Sequence, residues 1–397
     1  MSTRAVVLIG LVSAVCGAFL YAAAHHVSDA GAAGDASRDA IVEAYQEPQD
    51  AWPEPVLDDS VEHRPLAPLS PVSHPDDNAY SDAKRDLGRV LFFDPRISAS
   101  GTLACASCHD PDLGWSDGRQ RSFGHARRKG KRNSMTILNV GHVDSLFWDG
   151  RAGSLEDQAL VAINGPAEMN MGLPAVANRL GSIEEYTPMF QKSFGDREVT
   201  AERIAKAIAT FERGVTSRTS AFDRFLAGDR DAMTDEQIHG LHLFRTKASC
   251  MNCHNGPMLS DGKFHNIGQS HLARPSQDLG RFWVTGDTSD VGAFRTPSLR
   301  DVTYTAPYLH HGLIFSLREV IDMYDAGMPQ IIPKMARDHP LYPKKSPLLK
   351  PLGLTETEKD ALLAFLEAIS RRPRRISAPT LPGTDAPTVR HMTEAGL

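Results

Sequence analysis

The chain has 397 residues, more than one hydrophobic core usually organises, so two domains of ordinary size with looser ends are expected. With 41% hydrophobic and 23% charged residues it can bury real cores, and 31 glycines and 26 prolines are too few for a low-complexity protein. Its 43 basic and 49 acidic residues give a net charge of −6, with no long basic stripe beyond Arg127 to Arg132, which argues against a nucleic-acid partner.

Residues 1–24 have the layout of an export signal: Arg4, an apolar run from Ala5, and Ala22-Ala23-Ala24 as a small-residue cleavage site. The run is also long enough to remain as an amino-terminal membrane anchor. Either outcome places the rest of the chain in the periplasm. Residues 25–78, rich in Ala, Asp, Ser and Pro without sustained periodicity, read as a flexible linker.

Cys16 lies inside the signal and leaves four cysteines, each pair followed by histidine: Cys105-Ala-Ser-Cys108-His109 and Cys250-Met-Asn-Cys253-His254. Two thiols about one helical turn apart can join the two vinyl groups of a porphyrin, and the next imidazole then reaches the iron. One such motif also fits a thiol redox pair or half of a zinc site. Two of them, in an exported chain with no cysteine left over and no further Cys or His at short spacing, favour two covalent haem c groups.

An internal repeat surrounds the motifs. Gly88-x-x-Leu91-Phe92 precedes the first and Ser116-Asp117-Gly118 follows it; Gly240-x-x-Leu243-Phe244 and Ser260-Asp261-Gly262 flank the second. Thr200 opens a run with Ile204, Ile208 and Phe211 at helical spacing. Thr234-x-x-Gln237 and Thr355-x-x-Glu358 are capping boxes before further helices. Strand patterns are scarce, so the fold class is mainly α. The expected organisation is an amino-terminal haem domain over 79–215, a carboxyl-terminal one over 216–376, and a loose tail over 377–397.

The chain resembles the bacterial di-haem cytochrome c peroxidase and MauG family from about Asp82 to about Ser370. The likeness is carried by Leu91-Phe92-Phe93-Asp94-Pro95-Arg96, both haem motifs, Arg132-Asn133-Ser134, Phe147-Trp148-Asp149-Gly150-Arg151, Phe294-Arg295-Thr296-Pro297-Ser298-Leu299-Arg300 and Thr305-Ala306-Pro307-Tyr308. The resemblance implies two cytochrome c-like helical domains. The amino-terminal haem meets hydrogen peroxide and the carboxyl-terminal haem delivers electrons or stores oxidising equivalents, with His109 and His254 as proximal ligands. It also implies Glu168 as the distal acid, Gln158 as its companion and Trp148 between the haems. Asn133, Thr305 and Pro307 fall where relatives hold a calcium ion. Without the resemblance, Glu168 would read as a loop carboxylate and Trp148 as core.

Two positions separate the family's branches. His125, sixteen residues after His109, falls where the peroxidases carry a removable distal histidine, in a basic loop that has the look of a mobile segment. Fourteen residues after His310, where the peroxidases place a methionine, stands Tyr324, with Met323 beside it. Adjacent helical residues point about 100 degrees apart, so one faces the iron and the other packs. A thioether raises the haem potential and a phenolate favours higher oxidation states. The register and the run Tyr324-Asp325-x-Gly327 favour Tyr324, as in the MauG branch.

The expected function is a periplasmic peroxidase that draws electrons from a small cytochrome c or a cupredoxin. The alternative within the family oxidises aromatic residues of a protein substrate, in the manner of MauG or MbnH. An alternative of another class, a di-haem electron carrier, has no use for a distal acid. The resemblance leaves homodimer formation open.

Overall fold

The computed structural model describes residues 37–384, apart from 273, 275–276 and 331–332. The expected signal or anchor (1–24), the start of the linker and residues 385–397 of the tail lie outside the described residues. The architecture is helical, and the two named strands, Phe264–His265 and Phe294–Arg295, form one short antiparallel pair. No helix among the described residues is long and apolar enough to cross a membrane.

The repeat in the sequence is a repeat of helix pairs. Helix α2 (Asp82–Phe93) is capped by Ser81, whose side chain accepts from the Lys84 N–H, and it packs on α6 (Ala201–Arg213), capped in the same way by Thr200. Helices α8 (Asp235–Arg245) and α11 (Glu356–Ala368) pair likewise, and each begins with the expected capping box. The repeated glycine has a steric reason. A Cβ on Gly88 would lie 1.8 Å from the Ala207 carbonyl oxygen, and one on Gly240 would lie 1.9 Å from that of Ala361. Only glycine lets the two backbones cross this closely.

Each pair organises its own core. Leu91, Phe92, Trp115, Ile204, Ile208 and Phe211 belong to the first, together with Tyr186 and Phe190 from α5 (Tyr186–Phe194). Phe222, Ile238, Leu241, Phe244, Phe365 and Leu366 belong to the second. Helix α3 (Leu155–Asn164) lies against α6, and α10 (Leu317–Asp325) against α11.

Two segments expected to be loose are packed. The linker is helical over 37–46, and its Tyr45, Trp52 and Leu66 are buried in the second core. Arg245 donates to the Tyr45 hydroxyl at 2.8 Å and lies over both aromatic rings. The strap then follows the second cysteine loop: Asp58 N–H donates to Asn252 Oδ1 at 2.9 Å, and Arg64 donates to Asn255 Oδ1 at 3.1 Å. Ile41, Val42 and Leu57 pack against the second core as well. Ile376, the last residue before the tail, and Leu381 within it pack on the first core, and Arg89 donates to the Ser377 carbonyl at 2.7 Å. The tail is therefore held as far as it is described.

Candidate functional site

Both Cys-x-x-Cys-His segments are built alike. The turns Cys105–Ser107 and Cys250–Asn252 each close on the second cysteine, and the four thiols are unpaired and half-buried. Burial pushes the Cys108 thiol up to about 11 and that of Cys250 to about 12.

The histidines are aimed by the backbone. His109 Nδ1 sits 3.2 Å from the Trp115 carbonyl and His254 Nδ1 sits 2.9 Å from that of Leu259. A carbonyl partner fixes the proton on Nδ1 and leaves the Nε2 lone pair for a metal. Trp115 (φ 60) and Leu259 (φ 49) both adopt the left-handed conformation. In each repeat, that uncommon turn immediately precedes Ser-Asp-Gly. Asp117 and Asp261 then accept from the backbone two residues on, at 3.0 and 2.9 Å.

Around the first centre, Glu168 follows α3 in a tight turn, with its N–H donating to the Gly165 carbonyl at 2.9 Å. Its carboxyl lies close enough to Cys105 and Cys108 to raise both thiols. Its side chain keeps 42% of its surface open, yet the protein around the remainder raises its pKa, and Arg151, 3.8 Å away, partly opposes this. Gln158 lies half-buried on α3. The His125 loop is joined to the same turn by a hydrogen bond from the His125 N–H to the Glu168 carbonyl, and His125 Nδ1 is buried without a partner.

The second centre opens on a cavity whose lining includes Cys250, Cys253, His254, Tyr324, Trp148 and Arg295. Burial, and the nearness of Cys253 and Cys250 across the same cavity, push the Tyr324 phenol up. Met323, its neighbour on α10, does not line the cavity. Trp148 is buried, its Nε1–H donates to the Asn133 carbonyl at 3.0 Å, and its ring lies edge-on to His310. Asn133, Thr305 and Pro307 also line this cavity. The Asn133 amide nitrogen donates to the Arg119 carbonyl, which leaves Oδ1 as a neutral oxygen ligand.

Sequence reasoning missed Arg295. Its guanidinium is buried, its Nε has no partner, and the other nitrogens reach only the Thr296 carbonyl at 3.3 Å and the Met135 sulfur at 3.6 Å. Burial pushes it down to about 10. An unpaired cation in the wall of an apolar cavity fits a ligand that brings a carboxylate, as a porphyrin does. The cysteine pairs, the aimed imidazoles and this arginine together fit haem. The pair His265 and Asp261, 2.7 Å apart, was missed as well. Burial opposes a charge on His265, but its bond to Asp261 prevails and holds it near 10.

A helical frame with two such centres fits the class of haem-dependent peroxidases. The family model for di-haem cytochrome c peroxidase matches residues 82–231. Cytochrome-c peroxidase IdrP1 of Pseudomonas sp. (strain SCT) is 41% identical over 355 residues, covering 82% of this chain and 91% of its own. Methylamine utilization protein MauG of Methylorubrum extorquens is 39% identical, covering 78% and 85%. The crystal structure of a MauG-like protein associated with microbial copper homeostasis superposes with a TM-score of 0.69 at 34% identity, over 76% of this chain and 93% of that one. The chain belongs to the di-haem cytochrome c peroxidase family.

Proposed function

We propose that the chain is a periplasmic enzyme that reduces hydrogen peroxide, with electrons supplied by a small cytochrome c or a cupredoxin. Cys105 and Cys108 would hold one haem c covalently, and Cys250 and Cys253 the other. Haem iron supplies the redox chemistry of oxygen–oxygen cleavage. The protein supplies the rest. His109 and His254 present Nε2 to the metals, and Arg295 offers its guanidinium to a porphyrin carboxylate. Glu168 accepts the proton of the inner peroxide oxygen and returns it to the departing one. Gln158 orients the bound peroxide, His125 is a removable distal ligand at the first centre, and Trp148 offers an indole path for charge between the centres.

The observation that carries this reading is an asymmetry. An ionisable carboxyl, raised by burial, lies near the first cysteine pair, whereas a phenol lies near the second. Among the described residues, the first centre pairs this acid–base group with a histidine loop that is hydrogen-bonded to the same turn. A calcium ion held by Asn133 Oδ1 and the carbonyls of Thr305 and Pro307 would sit in the wall of the second cavity, with waters completing its shell.

Tyr324 also favours a second reading, in which the oxidising equivalents are passed to aromatic residues of a protein substrate. The experiment is to mix the fully ferric protein with peroxide and follow both haems optically. Inertness until half-reduction supports the peroxidase, and a long-lived doubly oxidised state supports protein oxidation. No response in any redox state overturns both.

A further inference from the structure

The junction of the two domains holds nitrogen side chains that the proposed reaction does not use. His310 is buried with its ring stacked on Phe294 at 3.6 Å. His311, 5% exposed, stacks on His271 at 5.6 Å with the rings 13° from parallel. The Leu313 N–H donates to His311 Nδ1 at 3.0 Å. A neutral imidazole that accepts at Nδ1 carries its proton on Nε2, and His311 Nε2 is buried without a hydrogen-bond partner.

Arg121 comes from the first domain close enough for its charge to act on both His271 and His311. The Gln120 carbonyl packs so tightly on Gly312 that a Cβ there would lie 2.3 Å from it, and Arg121 Nε is also buried without a partner. Two acids near the junction are already bound. Arg132 holds Asp149 at 2.6 Å and Asp278 at 2.7 Å. Two donors from opposite domains therefore lack an acceptor, and burial makes that costly unless an acceptor arrives.

We propose that the Nε2–H of His311 and the guanidinium of Arg121, beside His271, form an anion site between the domains that takes a carboxylate. A carboxylate has two acceptor oxygens and no donor, which matches a guanidinium edge and one imidazole N–H. A singly charged ligand is favoured over a dianion. Burial, then His271 and Arg121, push His311 down to about 4, so it stays neutral and Arg121 supplies the one full charge. The carboxylate comes either from a haem propionate or from solution.

The test uses the haem-loaded protein as wild type, His311→Phe and Arg121→Gln. Arg121 is only half-buried, so its variant leaves the stacked rings in place and answers if His311→Phe does not fold. Redox titration of both haems reads the first source: with a propionate in the site, the potential of one haem falls in each variant. Thermal unfolding in sodium acetate against sodium chloride at equal ionic strength reads the second: with a free carboxylate, acetate raises the melting temperature of the wild type alone. Unchanged potentials in the variants, together with no acetate-specific stabilisation of the wild type, overturn the site.

Discussion

The N–H of His125 donates to the carbonyl oxygen of Glu168 at 2.7 Å, so the loop with the candidate distal histidine is fastened to the turn with the candidate acid. Gly124 makes the contact tighter still: a Cβ there would lie 1.9 Å from the Ala167 carbonyl oxygen and 2.7 Å from that of Glu168. If the His125 loop moves, Glu168 is released or shifted with it.

Gly124→Ala should therefore push the two loops apart. The expected result is a peroxide reaction slowed at least about tenfold, as a misplaced proton-transfer group commonly produces. Haem content and the spectrum of the carboxyl-terminal haem should not change. Stopped-flow mixing with peroxide measures the rate, and a wild-type rate would show that the fastening is idle.

Glu168→Gln should slow the same reaction by about 10²- to 10⁴-fold, the usual contribution of a positioned acid–base group. The pH dependence has a definite sign. Burial raises the Glu168 pKa, and a base acts only when ionised, so the wild-type rate should fall on acidification at a higher pH than an ordinary carboxylate would give. The variant should lack that limb. A limb that persists in Glu168→Gln would assign it to another group.

At the second centre, Tyr324→Phe should alter the low-spin haem spectrum and Met323→Leu should not, because only Tyr324 lines the cavity. Electron paramagnetic resonance of the ferric proteins distinguishes the two. The opposite pattern would make Met323 the ligand.

Glu212 bears on stability. It lies buried on α6 with one carboxyl oxygen unpartnered, and burial, eased by Arg213, raises it from 4.5 to about 8. Between those values the folded chain holds a proton that the unfolded chain has lost. Stability from this group therefore falls as pH rises, by about 1.4 kcal/mol per unit. Glu212→Gln should flatten that slope in urea unfolding from about pH 5 to about pH 8. Parallel slopes in the two proteins would contradict the assignment.

The sequence shows how much of this was legible. Glycine at 88 and 240 marked the duplication, and the structure supplies the reason in the helix crossings at Ala207 and Ala361. Thr200, Thr234 and Thr355 announced their helices through local chemistry that needs no tertiary context. The strap was hidden because Tyr45 finds its partner Arg245 200 positions further on, and no period in residues 37–78 announces it. Arg295 was visible as a residue but not as an orphan, since lacking a partner is a property of the folded surroundings. The choice between Tyr324 and Met323 rested on the register and the run Tyr324-Asp325-x-Gly327; in the fold, Tyr324 lines the cavity and Met323 does not.

The most direct measurement is a pyridine haemochrome assay on the purified, exported chain, beside variants in which Cys105 and Cys108, or Cys250 and Cys253, are replaced by serine. The account predicts two covalent haems per chain in the wild type and one in each variant. One haem or none in the wild type would contradict it.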